Sequence, residues 1–143
     1  MVHTKKDKGD IGVAATIAAL TIQGWRVAMP LSEHTKYDII AEMNGVCYRV
    51  QVRYTTPKGN ILVVKLRSSW ADRNGSHDVN RKQGDYDILA AYNPVNNAVY
   101  FLSDSAFSNV AGVTLRTDCK ATKKSRLASE HLTCPVPGTS LLN

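Results

Sequence analysis

The pair Asn44-Gly45 follows Tyr37-Asp38-Ile39-Ile40-Ala41-Glu42-Met43 and precedes the run Val-Cys-Tyr-Arg-Val-Gln-Val-Arg-Tyr over 46–54, and it constrains this chain more than any other feature. Asn-Gly between two β-prone stretches specifies a two-residue hairpin, because a type I′ turn needs positive φ at both central residues. With those two residues in the loop, Met43 faces Val46 and Asp38 falls opposite Gln51. Side chains alternate faces along a strand, so Arg53 shares the face of Gln51. One carboxylate, one amide and one permanent cation converge near one end of a ribbon. The other face carries Val46, Tyr48, Val50, Val52 and Tyr54 opposite Ile39, Ala41 and Met43, which reads as core.

At 143 residues the chain fits a single domain, 1–143, with a flexible start over 1–7 and a C-terminal tail over 133–143. Eighteen Lys and Arg stand against 12 Asp and Glu, a net charge of +6. That excess favours a polyanionic partner, nucleic acid or an anionic surface, without choosing between them. No apolar run approaches the roughly 20 residues that cross a bilayer, so no membrane span is expected. Lys5, Lys6 and Lys8 lead into an amphipathic segment without a small-residue cleavage site, which argues against a signal peptide. Cys47, Cys119 and Cys134 are odd in number and widely spaced, a pattern that fits a reducing cytoplasm and neither a disulfide framework nor a structural zinc site.

Apolar residues Ile11, Ala14, Ala15, Ala18 and Ile22 recur at helical spacing and Gly24 supplies a stop, predicting one helix over 10–23 with Asp10 near its N-cap. Residues 25–29 read as a short strand ended by Pro30, with Trp25 in the core. A turn over 55–60 leads to a further hairpin-linked strand over 61–68. The polar stretch 70–85 is expected to be the longest irregular segment, a mobile or ligand-ordered loop, headed by Trp70 as a contact for nucleic acid or a neighbouring subunit. Strands over 86–92 and 98–102, a short helix over 104–109, a last strand over 113–117 and one or two helical turns over 127–132 complete the chain. The order suggests α/β or α+β with a mixed sheet.

Several groups of residues have both a chemical and a plain reading. Asp38 and the Gln51 amide oxygen, with the Val52 carbonyl, offer the hard oxygen ligands Mg²⁺ wants, and Arg53 can meet a phosphate. The same residues also suit a solvated strand face with a modest Asp38–Arg53 ion pair. Lys8-Gly9-Asp10-Ile11-Gly12 reads either as a glycine-flanked helix start that approaches an anion or as an ordinary cap. Lys58, Lys65, Arg67, Arg73, Arg81, Lys82 and Arg116, with Arg49 and Arg53, can line a phosphate groove or simply face water. His34, in the loop near Asp38, reads either as a further phosphate contact or proton donor or as an idle exposed histidine. Cys47 has no base beside it for nucleophilic chemistry.

The ordered set K-G-D-I-G, P-L-S-E-H over 30–34, Tyr37-Asp38 and Tyr48-Arg49-Val50-Gln51-Val52-Arg53-Tyr54 resembles the small homing endonucleases encoded in group I introns of cyanobacteria. The likeness continues more loosely through Leu66-Arg67-Ser68-Ser69-Trp70, Tyr86-Asp87-Ile88-Leu89-Ala90, Val99-Tyr100-Phe101-Leu102 and Thr114-Leu115-Arg116. The resemblance implies a PD-(D/E)XK restriction-endonuclease-like core, an α/β fold with a mixed central β-sheet flanked by helices. It implies Mg²⁺-dependent (or Mn²⁺-dependent) hydrolysis of double-stranded DNA at a long pseudo-palindromic site by a homodimer or homotetramer.

Carried over by position, Asp38 is the motif's first acid, Gln51 stands at the second, and Arg53 occupies the place of the motif Lys. Lys can position or lend a proton near the attacking water, whereas a guanidinium stays protonated and presents a wider fork. The helix Glu usual in the fold falls at Val13, and Asp10, one turn earlier, is the nearest substitute. The implied site is therefore catalytic Asp38, Gln51 and Arg53, with Asp38, Gln51, Val52 and Asp10 as metal ligands, and Lys8, Arg49, Lys58, Lys65, Arg67, Arg73, Arg81, Lys82 and Arg116 as nucleic-acid contacts. Two alternatives stay open: a weakened or inactive nuclease fold that binds DNA or intron RNA, and a resolvase-like action on Holliday junctions.

Overall fold

The computed structural model describes residues 2–103, 111–118 and 126–127. The expected helix over 104–109, the turns over 127–132 beyond Leu127 and the tail over 133–143 lie outside the described residues. The first helix, α1 (Lys5–Ile22), begins more than a turn before the expected start at 10. Its N-cap is Thr4, which accepts from the Asp7 N–H while the Asp7 carboxylate takes the Thr4 N–H at 2.8 Å, a reciprocal capping box. The stretch expected to be flexible is thus helical from Lys5. Lys8-Gly9-Asp10-Ile11-Gly12 consequently lies inside the helix. Its amides point along the helix ladder, so the reading of a glycine-flanked anion-binding start is corrected.

Gly12 has a packing role instead. A Cβ there would stand 3.3 Å from Val52 Cγ1 and 3.8 Å from Tyr54 Cβ, so the missing side chain lets α1 lie directly on the strand that carries the motif residues. Gly24, with φ +88°, stops the helix in the left-handed conformation its position requires.

Strand β1 (Arg26–Ala28) pairs antiparallel with β2 (Ile39–Met43), and β2 with β3 (Val46–Tyr54), in the register expected from the turn: Met43 opposite Val46 and Ile39 opposite Val50. Asn44 and Gly45 have φ of 53° and 81°, as a type I′ turn demands. The run expected as one strand over 61–68 splits into β4 (Ile61–Lys65) and the first arm of a separate ribbon, β5 (Ser68–Asp72) with β6 (Gly75–Val79). That ribbon replaces much of the irregular loop expected over 70–85. Strands β7 (Ile88–Asn93), β8 (Ala98–Ser103), β9 (Gly112–Arg116) and β10 (Arg126–Leu127) follow.

The strands form a five-stranded sheet of order β1-β2-β3-β7-β8, a three-stranded sheet β10-β9-β4 and the two-stranded ribbon β5-β6. β3 and β7 run parallel and the other pairs of the large sheet are antiparallel, so the sheet is mixed.

Two apolar clusters sit on the two faces of that sheet. Around Leu20 of α1 lie Trp25, Ile39, Val50, Val52 and Phe101, with Trp25 3% exposed. On the opposite face Leu89, Ala91, Tyr100 and Leu102 meet Leu62, Val64, Val113 and Leu115 of the three-stranded sheet. β7 is buried along its whole length because both faces are covered. Among the described residues a helix covers one face of the mixed central sheet and a second sheet the other. Gln51 and Arg53 lie on the second-sheet side of β3, at the margin where that cluster gives way to solvent.

Candidate active site

Asp38 lies just before β2, where its N–H donates to the Val50 carbonyl at 2.9 Å and extends the hairpin by one residue. Its Oδ2 accepts from the Val52 N–H at 2.7 Å and from Gln51 Nε2 at 2.7 Å. Both bonds cross the ribbon, so the hairpin register itself positions the carboxylate. Burial pushes the Asp38 pKa up, and the Val52 N–H, the Arg53 charge and the Gln51 amide only partly offset that push. A half-buried carboxylate held from ionising freely is the kind of group a divalent ion would neutralise.

Gln51 Nε2 also donates to the Val52 carbonyl at 3.2 Å, so one amide nitrogen spans an Asp38 oxygen and a main-chain oxygen. These atoms test the fit of a divalent metal. An N–H₂ bridging two oxygens marks a place that favours positive charge, and turning the Gln51 amide over would bring its oxygen beside the other two as a third hard ligand. Asp10 and Val13, on α1, line a groove of about 570 Å³ whose far wall includes Asp38. Among the described residues no group of three His, Cys, Asp or Glu side chains is placed to hold a metal ion. The oxygens of Asp38 and the Val52 main chain suit a hard divalent cation, with few formal charges.

On the other side of Gln51 opens a cleft of about 250 Å³ lined by His34, Lys36, Arg53, Ser68, Arg81 and Tyr86, among others. Arg53 does not bond to Asp38. Its Nε donates to the Lys65 carbonyl at 3.2 Å and its Nη2 reaches Ser68 Oγ at 3.5 Å, a long contact at the root of the β5–β6 ribbon. The Arg81 guanidinium stands 4.6 Å over the Tyr86 ring, and burial pushes the Tyr86 hydroxyl pKa up. Lys36 was not anticipated. It lies two residues before Asp38, and period-two alternation along an extended chain is the signal that could have found it.

The remaining expected contacts fall in different places. Arg49 grips Asp87 through Nε and Nη2 at 3.2 and 3.0 Å and takes the same carboxylate on its N–H at 2.8 Å, tying β3 to the start of β7. Arg116 is held by Asp118 at 2.8 and 3.0 Å. Each of these two guanidiniums already faces a carboxylate, which lowers its value for phosphate. Lys8 lies 5.8 Å from the centre of the Tyr54 ring. Lys65 is exposed on β4, Arg67 pairs with Asp78 at 3.6 Å, and Arg73 stands at the ribbon tip. Lys82 caps a turn through its N–H on Asp85 at 2.9 Å, and Lys58 sits in the turn before β4. The structure brings Gln51, Arg53 and Arg81 to one cleft; Arg49, Lys58 and Arg116 do not line it.

His34 and Ser32 belong to the same loop, with the His34 N–H on Ser32 Oγ at 3.2 Å. No helix among the described residues is long and apolar enough to cross a membrane.

A family model described as PD-(D/E)XK endonuclease matches residues 3–131. The structure of a bacterial homing endonuclease, I-Ssp6803I, is similar with a TM-score of 0.72 and 27% identity, over 87% of this chain and 86% of that one. No curated protein matches the sequence.

Proposed function

Since the chain belongs to the PD-(D/E)XK endonuclease family, we propose that it hydrolyses duplex DNA at one long, specific site with the help of Mg²⁺ or Mn²⁺, as an oligomeric enzyme of the homing type. The observation that carries this reading is the cross-ribbon unit of Asp38, Gln51 and the Val52 main chain, opening onto a cleft where Arg53, Lys36 and Arg81 outnumber Glu33 and Asp85. The similarity to a bacterial homing endonuclease supports the same reading.

Asp38, Gln51 and the Val52 carbonyl would hold the metal, with Asp10 behind them. A bound ion there supplies Lewis-acid polarisation of a phosphoryl oxygen and a lowered pKa for a bound water. The chain's own residues do the rest. The Val52 N–H fixes the Asp38 carboxylate in one orientation before substrate arrives. Arg53, swung from the Lys65 carbonyl, presents a fork of donors to the phosphate at the cleft. It binds and neutralises charge, and its guanidinium does not release a proton. Lys36 and His34 line the same cleft. Arg81 extends the positive wall towards the ribbon.

One observation favours a second reading, a nuclease fold that binds DNA or intron RNA with little cleavage. Arg53 is turned to the ribbon root and carboxylates are few around Asp38. Incubation with a pool of duplex fragments and Mg²⁺ or Mn²⁺, beside Asp38→Ala and Arg53→Lys, separates the two. Cleavage that Asp38→Ala and chelator both abolish supports the first reading. Binding without cleavage, with cutting gained in Arg53→Lys, sinks it in favour of the second.

A further inference from the structure

The β5–β6 ribbon is the largest part of the described chain that neither core cluster explains. All of β5 is exposed, and β6 alternates between exposed and half-buried. A two-stranded ribbon without a core face is marginal in water, so its own contacts must hold it. They are dense for its size. Trp70 stacks on His77 with ring centres 5.2 Å apart and planes 25° apart, His77 Nε2 lies 3.0 Å from Asp72 Oδ1, and Asp72 also takes the Asn74 N–H at 2.7 Å. On the opposite face Asp78 is shared by Ser69 and Arg67.

The register Ser68–Val79, Trp70–His77 and Asp72–Gly75 puts Ser68, Trp70, Asp72 and His77 on one face. The root of that face, Ser68 with Val79, lines the catalytic cleft beside Arg53. The face is therefore continuous with the site.

We propose that the β5–β6 ribbon lies in the major groove of duplex DNA beside the scissile phosphate and reads base edges with Trp70, Asp72 and His77. This rests on the duplex-DNA part of the reading above, and not on cleavage. A two-stranded β-ribbon is one of the elements that the major groove, about 12 Å wide, admits. At roughly 3.4 Å per residue the ribbon extends about 14 Å from the cleft, a reach of about four base pairs.

Arg67, Arg81 and Lys82 stand in sequence at the ribbon root and Arg73 at its tip, so cations mark both ends of a polar face. Cations at the ends can meet phosphates while the face between them meets base edges. A second copy of the chain is the poorer fit. Trp70, 51% exposed, is the one large exposed apolar side chain of the ribbon, far short of the apolar centre of a stable protein interface. Asp72 can accept from cytosine N4, the His77 imidazole can bond a purine edge, and Trp70 offers apolar contact to a thymine methyl. The Trp70 stack and the Asp72 bond hold the imidazole in one orientation, which base readout needs.

The test selects bound sequences from a randomised duplex pool with the full chain in Ca²⁺, comparing the unsubstituted protein with His77→Ala, Trp70→Ala and the shape-conserving Asp72→Asn. The expected result is a defined motif for the unsubstituted protein. The variants should lose preference at one or two of its positions by about 10-fold while affinity for unselected duplex stays within about 3-fold. Variants that select the same motif with the same strength overturn the proposal. So does a Trp70→Ala protein whose molar mass in solution falls along with all DNA binding, since the ribbon is then a subunit contact. Adding Mg²⁺ to the same pool keeps the two readings apart. Cutting without any selected motif removes the ribbon proposal alone, and a ribbon-dependent motif without cutting removes hydrolysis alone.

Discussion

Two ribbons in this molecule carry the same dipeptide at their turns and meet different fates. In β2–β3 both Asn44 and Gly45 have positive φ and occupy the two loop positions; in β5–β6 the loop is Arg73-Asn74, and Gly75, with φ +116°, follows as the first residue of the return strand. The first ribbon puts Ile39, Ala41, Val50 and Val52 into the core under α1. The second buries nothing large. A turn signal thus specifies that a chain reverses, and the apolar face decides whether the hairpin becomes part of the body or stands out from it. The core anchors the first ribbon, the second stands in solvent, and Arg53, on the first, reaches Ser68 at the root of the second.

The sharpest way to break that division is to damage each ribbon separately. Asp38→Ala in the first is expected to cut the cleavage rate by on the order of 10³-fold or more, while the bound sequence motif stays the same, read by single-turnover cleavage beside sequence selection. His77→Ala in the second should leave the rate on saturating DNA within several-fold. If Asp38→Ala changed the motif as much as His77→Ala, the two ribbons would not divide chemistry from recognition.

Next in size is the packing behind the first ribbon. Gly12→Val would push β-branched carbons into Val52 and Tyr54, already 3.3 and 3.8 Å from a bare Cβ. Overpacking of this kind costs about 2 kcal/mol, read as a lower denaturation midpoint. Because Val52 lies between Gln51 and Arg53, cleavage should fall by more than stability alone explains. An equal Gly9→Val change, with open space around its Cβ, should leave activity intact.

The first ribbon was legible from sequence because three local rules agree there: Asn-Gly at the turn, strict alternation, and chemistry confined to one face. Register and the Asp38–Gln51 juxtaposition followed. The second ribbon was read as irregular because Ser68 to Val79 lacks the apolar alternation by which strands are recognised, and only tertiary or ligand contacts make such a strand worthwhile. β4 failed differently: its partner β9 lies some fifty residues away, and no local pattern encodes that pairing. The helix start was misplaced because Gly9 looked like a boundary, although Thr4 and Asp7 carry the capping signature in plain view. At the site, Asp38, Gln51 and Arg53 were visible together, whereas the engagement of Arg49 by Asp87 depends on β7 lying beside β3.

Turn substitutions sharpen the contrast at a smaller scale. Gly45→Val forces a β-branched residue to φ +81° in a turn that sets the core register, and should lower global stability by about 1–2 kcal/mol. Gly75→Val meets similar strain at φ +116° in a ribbon the core does not need. Its unfolding midpoint should move little and its DNA preference more. Equal losses of global stability would mean that the second ribbon folds as one unit with the body.

The smallest effect concerns the charge of Asp38. Burial raises its folded-state pKa above the ordinary 3.8, so the folded protein holds its proton to higher pH than the unfolded chain does. Where the folded state binds more protons, stability falls as pH rises. Stability should therefore decline from the ordinary carboxylate value up to the raised one and stay lower above it. Asp38→Asn keeps an oxygen for the Val52 N–H and removes the titration. Its melting temperature should match the unsubstituted protein below that window and exceed it above, with the gap opening as pH increases. Mg²⁺ should close the gap at neutral pH by stabilising only the ionised Asp38 protein, since a ligand of the folded state raises stability by mass action. A gap that is constant with pH, or one that Mg²⁺ leaves untouched, would mean that the first ribbon holds Asp38 for packing and not for a metal.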